Sequence, residues 1–247
     1  MFAFIGRWLR RVAALCLALV LLLVLCVLAM RWVHPVTSAF MLEARVAAIG
    51  GSLPYHTEYE WKDLEEISPH AAIAVIASED QLFPFHTGFD FKSIREAVQH
   101  NASHRRQHGA STISQQVAKN LFLWSGGGYF RKGLEACITL LIEWLWPKER
   151  ILEVYLNVAE FGRGVYGVEA AAQHYYNRPA RRLNREQAAM LAAVLPNPGR
   201  YRVESPSRYV QSRRDWILRQ MAGLGGTAYL DALDNAQAER PRAVIRR

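Results

Sequence analysis

Cysteine is scarce in this sequence: there are three in 247 residues, and Cys16 and Cys26 lie inside one apolar run. Cys137 is then alone in the remainder, which excludes a disulfide framework, and no Cys-x-x-Cys pair offers a thiolate metal site. Charge is missing from Val12 to Met30, a run of 19 residues, and no acidic residue occurs before Glu43. Strand signals are few and no repeat of fixed period appears. What remains is a chain that is 51% hydrophobic with a net charge of +8. That composition excludes a disordered polymer, and the length suits one domain with an appendage.

The uncharged run is the appendage. As a helix, Val12 to Met30 extends for about 28 Å, close to the roughly 30 Å hydrocarbon core of a bilayer. Arg7, Arg10 and Arg11 precede it, whereas only Arg31 follows before Glu43. Positive residues stay cytoplasmic, so the body is expected on the outer side. A cleaved signal peptide is the competing reading, with Thr37-Ser38-Ala39 as a loose cleavage site, but its apolar core spans only about 7 to 15 residues.

The expected organisation is a cytoplasmic tail over 1–11, a transmembrane helix over 12–32, a juxtamembrane connector over 33–66, an all-α domain over 67–235 and a basic tail over 236–247. Ser68 and Pro69 read as an N-cap and first helical residue, opening a helix through the apolar run from Ala71 to Ala77. Further helices are predicted at Thr112 to Leu123, Phe130 to Trp146, Lys148 to Ala159, Val168 to Tyr176, Arg185 to Leu195 and Pro206 to Leu224. Pro147 opens one of them, Asn184 caps another, and Gly223, Gly225 and Gly226 end the last.

Three segments carry chemistry-bearing residues. Glu79 and Asp80 end the first apolar helix, where the negative end of the dipole disfavours ionisation and raises a carboxylate's pKa, as suits a general base. On a helix from Thr112, the side chains of Ser111, Gln115 and Lys119 share one face with Gln116 and Asn120 beside them, opposite Ile113, Val117, Leu121 and Phe122. Hydroxyls, amides and one ammonium at a helix N-terminus suit sugars and phosphate oxygens. Arg131 and Lys132 stand one turn before Glu135, and two carboxylates with nearby cations are equipment for glycosyl transfer if they face one cleft.

Two other patterns read as decoys. Gly162 to Gly167 spells Gly-x-Gly-x-x-Gly but is expected to follow a helix, with no βαβ unit around it. His100, His104 and His108 share a helical spacing, yet Arg105 and Arg106 would repel a metal ion there.

The motifs together resemble glycosyltransferase family 51, the peptidoglycan glycosyltransferases. Glu79, Asp80, Phe83, His86, Gly88, Phe89 and Asp90 match one segment, Gly109 to Phe122 a second, and Arg131, Lys132 and Glu135 a third. Lys148, Ile151 to Glu153, Tyr155 to Asn157 and the glycines up to Gly167 continue the match. The resemblance implies a lysozyme-like α-helical domain at the outer face of a bacterial cytoplasmic membrane, polymerising lipid II into β-1,4-linked glycan with inversion and release of undecaprenyl pyrophosphate. It implies Glu79 as general base and Glu135 as a second catalytic glutamate, holding a divalent cation such as magnesium or manganese. Asp80, His86, Ser111, Thr112, Gln115, Gln116, Lys119, Asn120, Arg131 and Lys132 become substrate-binding residues. Partners are lipid II, the nascent strand, the membrane and division or elongation proteins, rather than the nucleic acid that so basic a chain first suggests.

Two departures stand out. Gly127 replaces an Arg common in the family, and Pro147 replaces a Ser. The transpeptidase motifs Ser-x-x-Lys and Lys-Thr-Gly are missing, so the chain resembles the monofunctional branch. A glycan-cleaving enzyme and a non-catalytic scaffold are the alternatives.

Overall fold

Helix dominates the computed structural model, which describes residues 2–49, 56–103 and 111–233. The first helix, α1 (Phe2–Ala29), is about 42 Å long at 1.5 Å per residue, enough to cross a bilayer. Its apolar part, Gly6–Ala29, is almost untouched by the rest of the protein. The helix runs through the arginines expected in a separate tail, and it ends at Ala29 rather than at residue 32.

The expected connector contains structure of its own. Ser38 caps α2 (Ala39–Ala48) by accepting from the Met41 amide at 3.1 Å. Farther on, β1 (Glu58–Tyr59) leads into a 3₁₀ turn at Leu64–Glu66. The body continues through α3 (Pro69–Glu79), α4 (Phe91–Ser103), α5 (Ile113–Phe122), α6 (Tyr129–Leu145) and α7 (Lys148–Val158). A hairpin of β2 (Glu160–Gly162) and β3 (Val165–Tyr166) precedes α8 (Val168–Tyr176), α9 (Arg185–Val194) and α10 (Arg208–Gly223). The tail from 236 and the arginines at 105 and 106 lie outside the described residues, as do His104 and His108.

Local chemistry explains the boundaries. Ser68 accepts from the His70 amide, and Thr112 with Gln115, like Asn184 with Gln187, forms a reciprocal capping box. Every residue of α3 from Ala71 to Ala77 is buried, so this helix is the core rod against which α9 and α10 pack. A second layer is formed by α5 with α6 and α7.

A buried ion pair knits that second layer. Lys148 at the start of α7 donates to Glu143 of α6 at 2.6 Å, and the Ser114 hydroxyl of α5 donates to the same oxygen at 2.5 Å. Lys148 is 1% exposed and its ammonium stands 4.4 Å from the Phe83 ring centroid.

The all-α expectation needs one addition, a three-stranded sheet in the order β1-β3-β2. In it β1 runs parallel to β3, pairing Glu58 with Val165 and Tyr59 with Tyr166, and β2 runs antiparallel. The supposed connector therefore supplies part of the body. The Gly-x-Gly-x-x-Gly decoy is the hairpin itself, so it does follow a strand, but not one leading into a dinucleotide-binding turn. Its glycines serve packing: a Cβ on Gly162 would collide with the Tyr175 hydroxyl. Gly167 has φ +85°, where a Cβ would fall 2.6 Å from the Asn157 carbonyl oxygen.

Candidate active site

The core helix α3 delivers Glu79 at its last residue, so the position of this acid is set by a helix buried from Ala71 to Ala77. Its carboxylate is held from two sides. Gln116 of α5 donates from Nε2 to Oε2 at 3.1 Å, and Arg213 of α10 donates from Nη2 to Oε1 at 3.2 Å. The amide of Gln116 is oriented in turn, because the buried Tyr155 hydroxyl donates to its Oε1 at 3.1 Å. Burial pushes the Glu79 pKa up; the Arg213 charge and the two hydrogen bonds oppose the rise without cancelling it. The direction is the expected one, and desolvation is its largest cause.

The adjacent acid has a different set of partners. Asp80 accepts from the Ile113 amide at 2.9 Å, capping α5 from outside, and from His86 Nε2 at 2.9 and 3.0 Å. The Gly88 amide donates to His86 Nδ1, so the proton of the imidazole is on Nε2, pointing at Asp80. Thr112 completes the turn by donating to the Gly88 carbonyl at 2.7 Å. Asp80, His86 and Thr112, read from sequence as substrate-binding, thus bond to one another's segments. Gln115 joins them, since its Oε1 accepts from the Thr112 amide and its side chain is 4% exposed.

A cationic group forms on the α5 and α6 side. Arg131 donates to one oxygen of Glu135 at 2.8 Å, and Lys132 pairs with the other. Lys132 also reaches the Ser111 hydroxyl at 3.3 Å. Burial pulls the pKa of Lys119 down. Next in weight come the attraction of Glu135, the repulsion of Arg131 and Lys132, and the attraction of Glu79. Lys119 therefore senses both glutamates and both neighbouring cations, and it connects Glu79 electrostatically to the Glu135 cluster. Asn120 is buried with its Oδ1 unpartnered.

Gly127 has a geometric use here. A Cβ at this position would collide with Arg131 Nε, so the missing side chain is what lets Arg131 lie back across the loop. With a cation on each oxygen, Glu135 is already neutralised in the way a divalent ion would do it. The arrangement does not fit a metal bound directly to Glu135.

A cleft of about 370 Å³ opens beside Glu79, lined among others by Asp90, Lys92, Ser111 and Trp216. Sequence reasoning misses Arg213 and Trp216. A signal was present: Val210, Ile217 and Met221 are the buried stripe of α10, and Arg213 falls three residues after Val210, where that stripe should continue. A cation at a core-facing register needs a buried anion, and Glu79 supplies it.

Comparison with known proteins agrees in one direction. Residues 46–222 match the family model described as transglycosylase. A biosynthetic peptidoglycan transglycosylase of Shigella sonnei is 55% identical over 85% of this chain and 91% of its own length. Proteins of the same name from Ectopseudomonas mendocina and Salmonella agona are 51% and 52% identical. The first alignment covers 91% of this chain and 93% of the relative, the second 90% and 96%.

Proposed function

Since this chain belongs to the transglycosylase family and is a peptidoglycan glycosyltransferase, we propose that it extends glycan strands from lipid II, with Glu79 as the general base. The observation that carries this reading is a desolvated carboxylate at the edge of a cleft, held by Gln116 and Arg213, and sharing its electrostatic surroundings with Lys119 and the Glu135 cluster. A sugar 4-hydroxyl is a poor nucleophile until its proton is taken as the new bond forms. A carboxylate with a raised pKa is a stronger base than an exposed one.

In the reaction the 4-oxygen of the acceptor forms a bond to C1 of the donor sugar, and the bond from C1 to the pyrophosphate oxygen breaks. The acceptor proton goes to Glu79 and the electron pair leaves with undecaprenyl pyrophosphate. Attack opposite the leaving group inverts the anomeric carbon. Pyrophosphate departs readily, so its developing charge needs stabilisation rather than a proton, and Lys119, Arg131 and Lys132 are the partners of that charge. Glu135 acts by holding Arg131 and Lys132. Asp80, His86, Thr112 and Gln115 hold one another and the start of α5, and Asp80 and Thr112 also line the cleft beside Glu79, where they are within reach of substrate. We place the amino terminus in the cytoplasm, from its three arginines, and the cleft at the outer face of the membrane, on the side where lipid-linked substrate is displayed.

Full-length protein in lipid vesicles supplied with purified lipid II is expected to yield detergent-resistant glycan polymer, resolved by gel electrophoresis. Cleavage of preformed glycan without polymer would instead favour the lysozyme-type reading, and neither activity would favour the scaffold.

A further inference from the structure

The exit of α1 from the membrane is gripped by the body at a series of backbone carbonyls. Within the last turn, Met30 donates back to Cys26, Arg31 to Leu28, and Trp32 and Val33 to Ala29. The Val27 carbonyl is passed over in this series. Trp146, at the end of α6, donates its indole N–H to that oxygen at 2.7 Å. Arg150 of α7 then takes the next orphans: Nε and Nη2 donate to the Met30 carbonyl at 3.1 and 2.9 Å, and Nη2 to the Val33 carbonyl at 2.8 Å. Tyr59 of β1 donates to the Pro35 carbonyl at 2.5 Å. Burial pushes this phenol up to about 12, so it keeps its proton at any physiological pH. One contact runs the other way, from Arg31 to the Leu145 carbonyl at 2.6 Å.

Arg150 is the centre of this joint. It is 8% exposed, pairs with Glu153 and stands 5.0 Å over the Trp61 ring, on which His34 is stacked at 4.6 Å. A helix end near hydrocarbon has little water to satisfy its carbonyls, so each of these donors has a large alternative cost to avoid. A planar guanidinium can span two carbonyls and a carboxylate at once, which an ammonium does not.

Besides α7, the joint holds the end of α6 through Arg31 and Trp146, and α6 reaches the active site directly. The last residue of α6 accepts from Arg31, and its first turn holds Arg131 and Lys132, with Glu135 beside them. At 17 residues α6 is a rod about 25 Å long, so a tilt of about 10° at the joint moves its far end by about 4 Å. Misplacement by about 1 Å can cost on the order of 10²-fold in rate.

We infer that Arg150 is a positioning residue that fixes the body to the anchor, so that the tilt of the anchor sets where Arg131 and Lys132 stand relative to the membrane. Only the activity arm of its test rests on the function proposed above.

The native cysteines provide the probe. With Cys26→Ala, spin labels on Cys16 of the anchor and Cys137 of α6, both exposed, report the distance between anchor and body by dipolar spectroscopy in nanodiscs of phosphatidylethanolamine and phosphatidylglycerol. A single narrow distance distribution is expected with Arg150 present, at least doubling in width with Arg150→Met. A broad distribution before substitution, or an unchanged width after it, overturns the inference. Arg150→Lys keeps the charge beside Glu153 but not the fork, and it carries the same comparison if Arg150→Met does not fold. In the activity arm, lipid II polymerisation by Arg150→Met should fall roughly tenfold in nanodiscs and stay within about twofold in detergent, where substrate height is not fixed. Equal loss in both media would mean a merely structural residue. Absence of polymer from the unsubstituted protein would refute the proposed function and leave the spectroscopic result to decide this inference.

Discussion

Glu79→Gln should lower the polymerisation rate of lipid II by about 10²- to 10⁴-fold, the range for loss of a positioned general base. The amide keeps the shape of the side chain and its acceptor oxygen but takes no proton. Its fold should survive. The folded-state pKa of Glu79 is raised by burial, so its stabilising contribution is present at low pH and lost as pH climbs through that raised value. At neutral pH the ionised carboxylate is costly to bury, but its loss also leaves Arg213 without a counter-charge, so the two effects oppose one another and the thermal midpoint of Glu79→Gln should stay close to that of the unsubstituted protein. Activity has the opposite pH dependence. It should rise as pH passes the Glu79 value, above the ordinary glutamate range near 4.3, because only the carboxylate accepts the proton. Polymerisation by Glu79→Gln at more than about a tenth of the normal rate would remove Glu79 from the mechanism.

The second large effect concerns stability. Lys148→Met leaves Glu143 buried without its nearest cation, and breaking a buried pair from one side costs about 3–5 kcal/mol. Much of the protein should then unfold at temperatures where the original is stable, as followed by circular dichroism in detergent. Adding Glu143→Leu should restore most of the loss, because replacing both members of such a pair by apolar residues is often neutral or better. If the double variant is as unstable as the single one, the pair contributes geometry that apolar packing does not replace.

Four helices of the body, α3, α5, α7 and α9, were legible because each had a chemical start signal, whereas α6 and α8 begin at glycines that bond through no side chain and α4 was not expected. Ser68, Thr112, Asn184 and Pro147 all stand where the helices begin, and the apolar periodicity between them needed no tertiary information. Less was legible in α2, where the helix relies on contact with α5, and in the hairpin, whose glycines are dictated by Tyr175 and Asn157 elsewhere in the chain. For the site, periodicity alone placed Gln115 and Lys119 on one accessible face. The capping box overrides that geometry: Thr112 needs a partner, and Gln115 turns inward to provide it. Arg213 escaped because its partner lies 134 positions away, and a single cation interrupting an apolar stripe identifies no particular anion.

The adjacency of Glu79 and Asp80, each held by its own partners, has a consequence for how variants of such enzymes are read. A mutational scan scored on growth or activity would rank both acids as equally intolerant, since removing Asp80 uncaps α5 and releases His86, disturbing Gln116 and, through it, Glu79. The shared intolerance would hide two unlike causes, one felt in the transition state and the other in the ground state of the fold. Only a scan read out twice, by turnover and by melting, separates the acid that reacts from the acid that holds it in place.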